Sequence, residues 1–288
     1  MSIPPHLDPR FRGKHIVITG AGGNFGREGC IYFALRGAKI TALDLNMNSL
    51  NETASIVLDK MHSAKIECFE CNVTDPASVE SAIDNAVEKF GTPDMLWNNA
   101  GYQGEIKPTL EYSLADFANV MNINVTGSFT MLQKVAKKMA AANDQTPDDG
   151  DSNKRKFSIV NTASVAAMRG TPAMVAYSSS KAAILAMTVS SAKDLAPYGI
   201  RVNAISPALI GPGYMWDRQN ELHAQSGSPY FANDPEEVAK GKVNGVPMKR
   251  LGTVEEVVKS VAYLLSEDSS YTTAFNLVVD GGMSGGLR

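Results

Sequence analysis

The chain has 288 residues, of which 44% are hydrophobic and 20% charged, and its formal net charge is -3. A slightly acidic protein of this kind gives no reason to expect nucleic acid or an anionic membrane surface as a partner. No apolar run approaches the ~18 residues that a membrane span needs. The first nine residues hold no apolar segment of the secretory type, so we expect a cytoplasmic protein without a membrane partner.

Strand-like and helical segments alternate along the chain, which predicts an α/β protein with a doubly wound parallel β-sheet, a Rossmann fold. Seven strands with helices on both faces are expected, in a single domain over residues 1–288. The predicted strands begin at His15, Lys39, Lys65, Met95, Phe157, Ile200 and Asn276. Helices are predicted from Arg27, over 50–63, from Pro76, over 114–143, over 177–195 and over 254–265.

Three segments interrupt this alternation. Residues 1–13 carry prolines and predict a surface arm, and the polar residues 144–156 predict an exposed loop. Residues 211–249 are rich in Pro, Gly, Trp and Tyr and predict irregular structure. We expect this region to form a substrate lid at about 208–249.

The long amphipathic segment 114–143 has apolar residues at every fourth position, as a helix packed on one face does. Asn122 and Asn124 interrupt it, with Gly127 nearby. Asparagine side chains compete for main-chain hydrogen bonds inside helices. We therefore expect a local distortion at this point.

The three cysteines are Cys30, Cys68 and Cys71. An odd, small number fits a reducing compartment. Cys68 and Cys71 form a C-x-x-C motif, but they lie in a strand-like segment, where residues three apart face opposite sides. No second pair completes a zinc site, so we expect structural thiols and no metal.

The first strand runs into a glycine-rich turn over residues 19–26. Such a turn before a helix is where main-chain N–H groups bind a pyrophosphate, although an ordinary βα turn is the alternative. Asp44 ends the next strand, close to the position of an acid that binds the adenosine ribose. A carboxylate there would repel a 2′-phosphate, which favours NAD over NADP. The alternative is a solvated Asp at a strand end.

Tyr177 and Lys181 lie four residues apart in a helix-forming run, so their side chains share one helix face. An ammonium near a phenol favours the phenolate and lowers its pKa from about 10. A tyrosine tuned towards neutral pH can exchange a proton with a carbinol oxygen. The same spacing also occurs on solvated helix faces.

Together these motifs resemble those of the short-chain dehydrogenase/reductase family over residues 12–283, in the family's order. The motifs are the turn 19–26, Asp44, Asn98-Asn99-Ala100-Gly101, Asn124, Ser164, Tyr177 with Lys181, and Ser206-Pro207. The resemblance implies an NAD-dependent enzyme with a small-molecule substrate, assembled as a homotetramer or homodimer.

The resemblance also implies roles for four catalytic residues. Tyr177 would be the general acid/base, and Ser164 would hold the substrate oxygen. Lys181 would bind the nicotinamide ribose and lower the Tyr177 pKa, while Asn124 would hold a water behind Lys181. The cofactor-binding residues implied are Gly20, Gly22, Gly23, Asn24, Phe25, Gly26, Asp44, Leu45, Asn72, Val73, Asn99, Ala100, Gly101, Tyr177, Lys181, Pro207 and Ile210.

The sequence departs from the family pattern at three places. Asn24 stands at the middle glycine of the turn, and Asn72 stands where an aspartate often binds adenine. Asn tolerates left-handed backbone, so the turn can form, with an altered approach to phosphate. Ala208 and Gly211 replace residues of the segment that contacts the carboxamide, so those contacts are expected to differ.

Two stretches on the expected substrate side, 98–104 and 211–219 with 226–228 and 230–231 after it, resemble the bacterial NAD-dependent xylitol dehydrogenases within the family. Tyr102, Gln103 and Trp216, with Ser164, are the substrate contacts that this resemblance implies. Arg218 and Gln219 could also hydrogen-bond a polyol, or they could form a solvated helix face.

The leading hypothesis is therefore an NAD(H)-dependent oxidoreductase that interconverts a secondary alcohol, a polyol such as xylitol, and its ketone. An alternative within the family is a 3-oxoacyl-[acyl-carrier-protein] reductase, which usually prefers NADPH. Asp44 and the acidic net charge argue against it. A remote alternative is a non-catalytic protein that keeps the fold to bind a ligand.

Overall fold

The computed structural model describes residues 10–144 and 156–285, and its centre is a parallel β-sheet. The strands are β1 His15–Thr19, β2 Lys39–Asp44, β3 Lys65–Glu70, β4 Met95–Asn98, β5 Phe157–Thr162, β6 Ile200–Pro207 and β7 Asn276–Val279. Every pairing is parallel, in the order β3-β2-β1-β4-β5-β6-β7. The predicted seven-stranded Rossmann sheet is confirmed.

Helices cover both faces of this sheet. They are α1 Asn24–Ala34, α2 Met47–Lys60, α3 Pro76–Phe90, α4 Leu114–Met121, α5 Ser128–Asp144, α6 Ala166–Arg169, α7 Val175–Leu195, α8 Tyr214–Ala224, α9 Pro235–Asn244 and α10 Val254–Leu265. Short 3-10 turns lie at Thr109–Glu111, Ala196–Tyr198 and Glu267–Ser269. No helix in the described ranges is long and apolar enough to cross a bilayer.

Side-chain caps fix where several helices begin. Asn46, Asp75 and Ser113 each accept a hydrogen bond from a main-chain N–H in the first turn of the helix that follows. Thr253 and Glu256 form a reciprocal capping box at the start of α10. These caps satisfy N–H groups that a helix start otherwise leaves without a partner.

Two apolar cores hold the helices on the sheet. Along β1, Ile16 and Ile18 face a core that includes α1, α2 and α10, while Val17 faces one that includes α3, α5 and α7. Burial on both faces explains why this strand is a continuous apolar run. Trp97 fills the first core, and a Cβ at Gly29 of α1 would lie 2.4 Å from its ring.

The distortion predicted in the long helix is confirmed, because a π-helix at Asn122–Gly127 joins α4 to α5. The irregular structure predicted for 211–249 is wrong, because this region contains α8 and α9. Except for Gly241 within α9, its Pro and Gly residues lie outside these helices or at their ends; Pro235 is the first residue of α9, where its missing N–H costs nothing.

All three cysteines are free. Cys68 of β3 packs with the α1 core, and Cys71, the residue after β3, packs with the opposite core, so the two thiols lie on opposite faces of the sheet as expected. Burial raises the pKa of each thiol. Residues 1–9 and 145–155, which include most of the predicted arm and loop, lie outside the described residues.

Candidate active site

A cavity of about 400 Å³ lies at the carboxyl ends of β1, β4, β5 and β6. Strand order reverses between β1 and β4, and ligands of open α/β sheets bind at such a switch point. Most residues predicted to bind cofactor line it: Gly20, Gly23, Asn24, Phe25, Asp44, Asn99, Ala100, Gly101, Tyr177, Lys181, Pro207 and Ile210. Ser164, Tyr102, Gln103 and Trp216, predicted to contact substrate, line it as well.

The glycine turn brings the start of α1 to the cavity. Gly20 has φ +66°, and a Cβ there would lie 3.0 Å from the Ala100 Cα. A Cβ at Gly26 would lie 2.3 Å from the Gly20 oxygen, so the turn closes only with glycine there. Gly23 is the N-cap of α1, and no side chain caps this helix within the described residues. Its first N–H groups can therefore bind an anion, so the turn fits a pyrophosphate.

Asp44 is fixed beside this turn. Its Oδ2 accepts a hydrogen bond from the Gly22 N–H at 3.0 Å, and its Oδ1 accepts one from the Asn46 N–H at 3.1 Å. Arg27, in the first turn of α1, is paired with Glu52 through a 2.6 Å contact. A carboxylate thus faces the cavity while this neighbouring cation is neutralised.

Five residues predicted to bind cofactor do not line the cavity: Gly22, Gly26, Leu45, Asn72 and Val73. Gly22 and Gly26 lie in the glycine turn on the side away from the cavity, where a Cβ would collide with neighbouring atoms. Leu45 is mostly exposed, and Val73 packs against Gly127 of the π-helix. The Asn72 Oδ1 accepts hydrogen bonds from the Thr74 N–H and hydroxyl, so this oxygen already serves a local turn.

Ser164, Tyr177 and Lys181 meet at the end of β5. The Ser164 hydroxyl lies near the Tyr177 phenol and favours its ionised form. The Lys181 side chain is buried, and its Nζ donates to the Thr162 carbonyl oxygen at 2.7 Å. This Nζ lies 5.6 Å from the centre of the Tyr177 ring. The arrangement can donate a hydrogen bond to a substrate oxygen and exchange a proton with it.

Burial dominates the pKa values of this pair. It raises the Tyr177 pKa, with the Ser164 hydrogen bond acting in the opposite direction. It lowers the Lys181 pKa to about 8. The net shift of the Tyr177 pKa is therefore upward because of desolvation, and the lowering by Lys181 stays a prediction.

Asn124 lies behind the cavity rather than in its wall. Its Oδ1 accepts from the Tyr102 N–H at 2.7 Å, and its Nδ2 donates to the Tyr102 oxygen at 2.8 Å. Nδ2 also donates to the Ser180 hydroxyl, which donates to the main-chain oxygen of Tyr177. The buried amide that was predicted to hold a water is thus already engaged by protein groups at both ends.

Residues 101–103 and α8 form the other end of the cavity. The Tyr102 hydroxyl lies 3.3 Å from Asp116 Oδ1, and Gln219 Nε2 donates to Gln103 Oε1 at 3.0 Å. Arg218 is paired with Glu221 outside the cavity, as on a solvated helix face. Gln219, by contrast, lines the cavity.

Sequence reasoning missed Thr162, whose carbonyl binds Lys181 and whose hydroxyl accepts the Trp97 indole N–H at 2.9 Å. Its place at the end of β5, two residues before Ser164, was the available signal. Lining residues that it did not assign are Ala163, Leu209, Gly213 and Val254. Ala208, Gly211 and Pro212 of the expected carboxamide segment line the cavity as well, as does Met215.

Comparison with known proteins agrees with this geometry. A family model described as enoyl-(acyl carrier protein) reductase, one of the short-chain dehydrogenases, matches residues 20–284. The chain belongs to the short-chain dehydrogenase/reductase family. A solved structure of an NAD⁺-bound xylitol dehydrogenase is 44% identical, with a TM-score of 0.88 over 94% of this chain and 99% of that one.

Curated relatives of this family member act on several alcohols and ketones. Levodione reductase of Leifsonia aquatica is 33% identical over 96% of both chains. L-2,3-butanediol dehydrogenase of Corynebacterium glutamicum is 34% identical over 94% of this chain and 98% of its own. A 3-oxoacyl-[acyl-carrier-protein] reductase of Thermotoga maritima is 31% identical over 95% of this chain and 99% of its own. The chain is thus an oxidoreductase of secondary alcohols and ketones.

Proposed function

We propose that this protein is an NAD(H)-dependent dehydrogenase that interconverts a polyol, or a similar secondary alcohol with a neighbouring hydroxyl, and its ketone. The observation that carries the proposal is one cavity lined by Ser164, Tyr177 and Lys181 at one end and by the glycine turn with Asp44 at the other. A bound nicotinamide supplies the hydride acceptor or donor.

Tyr177 is the acid/base residue of the proposed reaction. In the oxidation its oxygen takes the proton of the substrate hydroxyl, and in the reduction it returns that proton to the carbonyl oxygen. Ser164, which lines the cavity together with Tyr177, orients the same substrate oxygen. Lys181, held by its hydrogen bond to the Thr162 carbonyl, binds the cofactor ribose and places a positive charge near the proton transfer.

Asp44 supports NAD as the cofactor. Its carboxylate lies beside the turn that fits a pyrophosphate, where it can accept hydrogen bonds from ribose hydroxyls. A 2′-phosphate there would meet a negative charge, and the Arg27 guanidinium is already paired with Glu52. The bound cofactor named for the 44% identical xylitol dehydrogenase agrees with this choice.

The substrate end supports a polyol. Gln103 and Gln219 bring two amides to the cavity, which suits a ligand with several hydroxyl groups. The xylitol and butanediol dehydrogenases among the similar proteins are named for polyhydroxy substrates. The 3-oxoacyl reductase is the second candidate, since a relative carries that name at 31% identity.

A panel of xylitol, 2,3-butanediol and a 3-oxoacyl thioester, each tested with both cofactors, separates these candidates. We expect oxidation of the hydroxy compounds with NAD and much slower turnover with NADP. Faster reduction of the thioester with NADPH would favour the 3-oxoacyl reductase. No turnover of any of them would contradict the proposal.

A further inference from the structure

A half-buried ammonium lies between the two helices of the lid region. Lys242 of α9 extends towards α8, where its Nζ donates to the Asn220 Oδ1 at 2.7 Å. The same Nζ lies 5.3 Å from the centre of the Trp216 ring and 5.9 Å from that of Phe231. Burial lowers the Lys242 pKa to about 8, and no carboxylate of the described residues offsets this. Lys242 thus ties α9 to the face of α8.

His223 adds a second polar side chain to this contact between α8 and α9. Its Nδ1 lies 2.7 Å from the Gln219 main-chain oxygen and 3.1 Å from the Lys242 Nζ, and its ring packs against the Phe231 ring with a centroid distance of 4.1 Å. Its buried Nε2 has no hydrogen-bond partner among the described residues. Apolar side chains would pack here without the desolvation cost of these groups. The polar contact of Lys242 and His223 between α8 and α9 therefore indicates a role besides stability.

The residues of α8 that contact Lys242 and those that line the cavity lie on one face of the helix. The positions concerned are i, i+3, i+4 and i+7 of α8: Trp216, Gln219, Asn220 and His223. Lys242 contacts the ring or polar atoms of three of them, whereas Gln219 reaches Gln103 across the cavity. The orientation that Lys242 gives to α8 therefore sets where the Gln219 amide lies.

The two glutamine amides complement a hydroxyl group. Each uses one polar atom in their mutual hydrogen bond, which leaves a donor on one amide and an acceptor on the other. Exchanging the oxygen and nitrogen of both amides leaves the same pair of groups. A hydroxyl, which both donates and accepts, can bind to both amides at once.

We propose that Gln103 and Gln219 recognise a hydroxyl next to the reacting carbinol, and that Lys242 is the positioning residue that holds Gln219 for this task. The assignment rests on the proposed function, because it names the part of the substrate that the same cavity selects. It makes the neighbouring hydroxyl, rather than chain length, the basis of selection.

The test compares 2,3-butanediol and xylitol with 2-butanol, which lacks the neighbouring hydroxyl, under saturating NAD. The Gln219→Met variant removes the amide at similar side-chain length. We expect its kcat/KM to fall about tenfold for the diol and for xylitol, mainly through KM, and to change less than about twofold for 2-butanol. Unchanged selectivity in this variant would overturn the proposal, as would a wild type that shows no preference for the diol.

Lys242→Met tests the positioning role, and Lys240→Met is the matched control on the exposed face of α9. We expect Lys242→Met to reproduce most of the loss for the diol, and the double variant with Gln219→Met to be no worse than Gln219→Met alone. Equal losses for diol and 2-butanol, or losses that add in the double variant, would contradict it. A wild type that oxidises none of the three alcohols would instead refute the proposed function.

Discussion

The Nζ of Lys181 lies 2.7 Å from the main-chain oxygen of Thr162, and this carbonyl is the hydrogen-bond acceptor that holds the buried ammonium in place. Thr162 is itself held by the Trp97 indole N–H at its hydroxyl. The ammonium therefore has a fixed position but little solvation, which is why its pKa falls to about 8.

This burial predicts a pH-dependent contribution to stability. The Lys181 pKa is about 8 in the folded protein against 10.5 in an unperturbed lysine, so the unfolded chain binds more protons between these values. The Lys181 contribution to the free energy of unfolding therefore rises with pH by about 3 kcal/mol across that window. Urea unfolding of wild type and Lys181→Met at pH 7.5 and 10.5 measures it.

Tyr177 and the buried thiols act in the opposite direction, because their pKa values are raised, but they are present in both proteins. Their contribution therefore cancels in the difference between wild type and Lys181→Met. A difference that stays constant from pH 7.5 to 10.5 would contradict the assignment of a desolvated ammonium.

Asn124→Ala should cost stability as well as activity. It removes the partners of both partly buried main-chain groups of Tyr102 and the donor to the buried Ser180 hydroxyl, and an unsatisfied buried group costs about 1 to 3 kcal/mol. We expect about 2 to 3 kcal/mol in urea unfolding. Asn119→Ala, on the exposed face of α4, is the matched control and should change stability by less than about 0.5 kcal/mol. Equal effects at the two sites would refute this role.

Asp44→Asn should weaken the discrimination between the two cofactors. The amide keeps an oxygen that can accept from the turn, but removes the negative charge that would face a 2′-phosphate. Repulsion between unit charges at such a site is about 1 to 3 kcal/mol, so the ratio of kcat/KM for NAD over NADP should fall by about fivefold to 150-fold. Asp59→Asn, on the exposed last turn of α2, should leave the ratio unchanged. An unaltered ratio in Asp44→Asn would show that this carboxylate does not select the cofactor.

The raised Tyr177 pKa predicts opposite pH dependences in the two directions. Oxidation needs the phenolate as proton acceptor, whereas reduction needs the phenol as proton donor. Because burial keeps Tyr177 protonated at neutral pH, kcat/KM for alcohol oxidation should rise from pH 7 to 9.5, while that for ketone reduction should fall or stay constant. Initial rates in a constant-ionic-strength buffer series measure both, and parallel profiles would contradict the assignment.

The sheet was predictable because its central strands are short apolar runs, of which β1 leads into glycine and β4 ends in asparagine. Asp44 and Ser164 were identifiable for the same reason, since they follow strands whose carboxyl ends meet at one edge. The helices α8 and α9 were not predicted, because their sequence has little apolar periodicity and their packing on each other stabilises them.

The hydrogen-bond partners and contacts of individual side chains could not be predicted from the sequence. Nothing in the spacing of Asn124 indicates that the Tyr102 main chain occupies both ends of its amide. The direction of the Tyr177 pKa shift depends on burial, which the i, i+4 spacing with Lys181 does not report. The contact of Lys242 with α8 joins residues of two helices that the composition of 211–249 did not predict.

Tyr177→Phe tests the central claim most directly, because it removes one hydroxyl and keeps the ring in its place. NADH binding by fluorescence titration and NAD-dependent oxidation of xylitol would be measured on the same preparation. We expect binding within about threefold of wild type and a fall in kcat of at least about a hundredfold, the usual contribution of general acid–base catalysis. Turnover close to wild type in a variant that still binds NADH would show that this phenol does not transfer the proton.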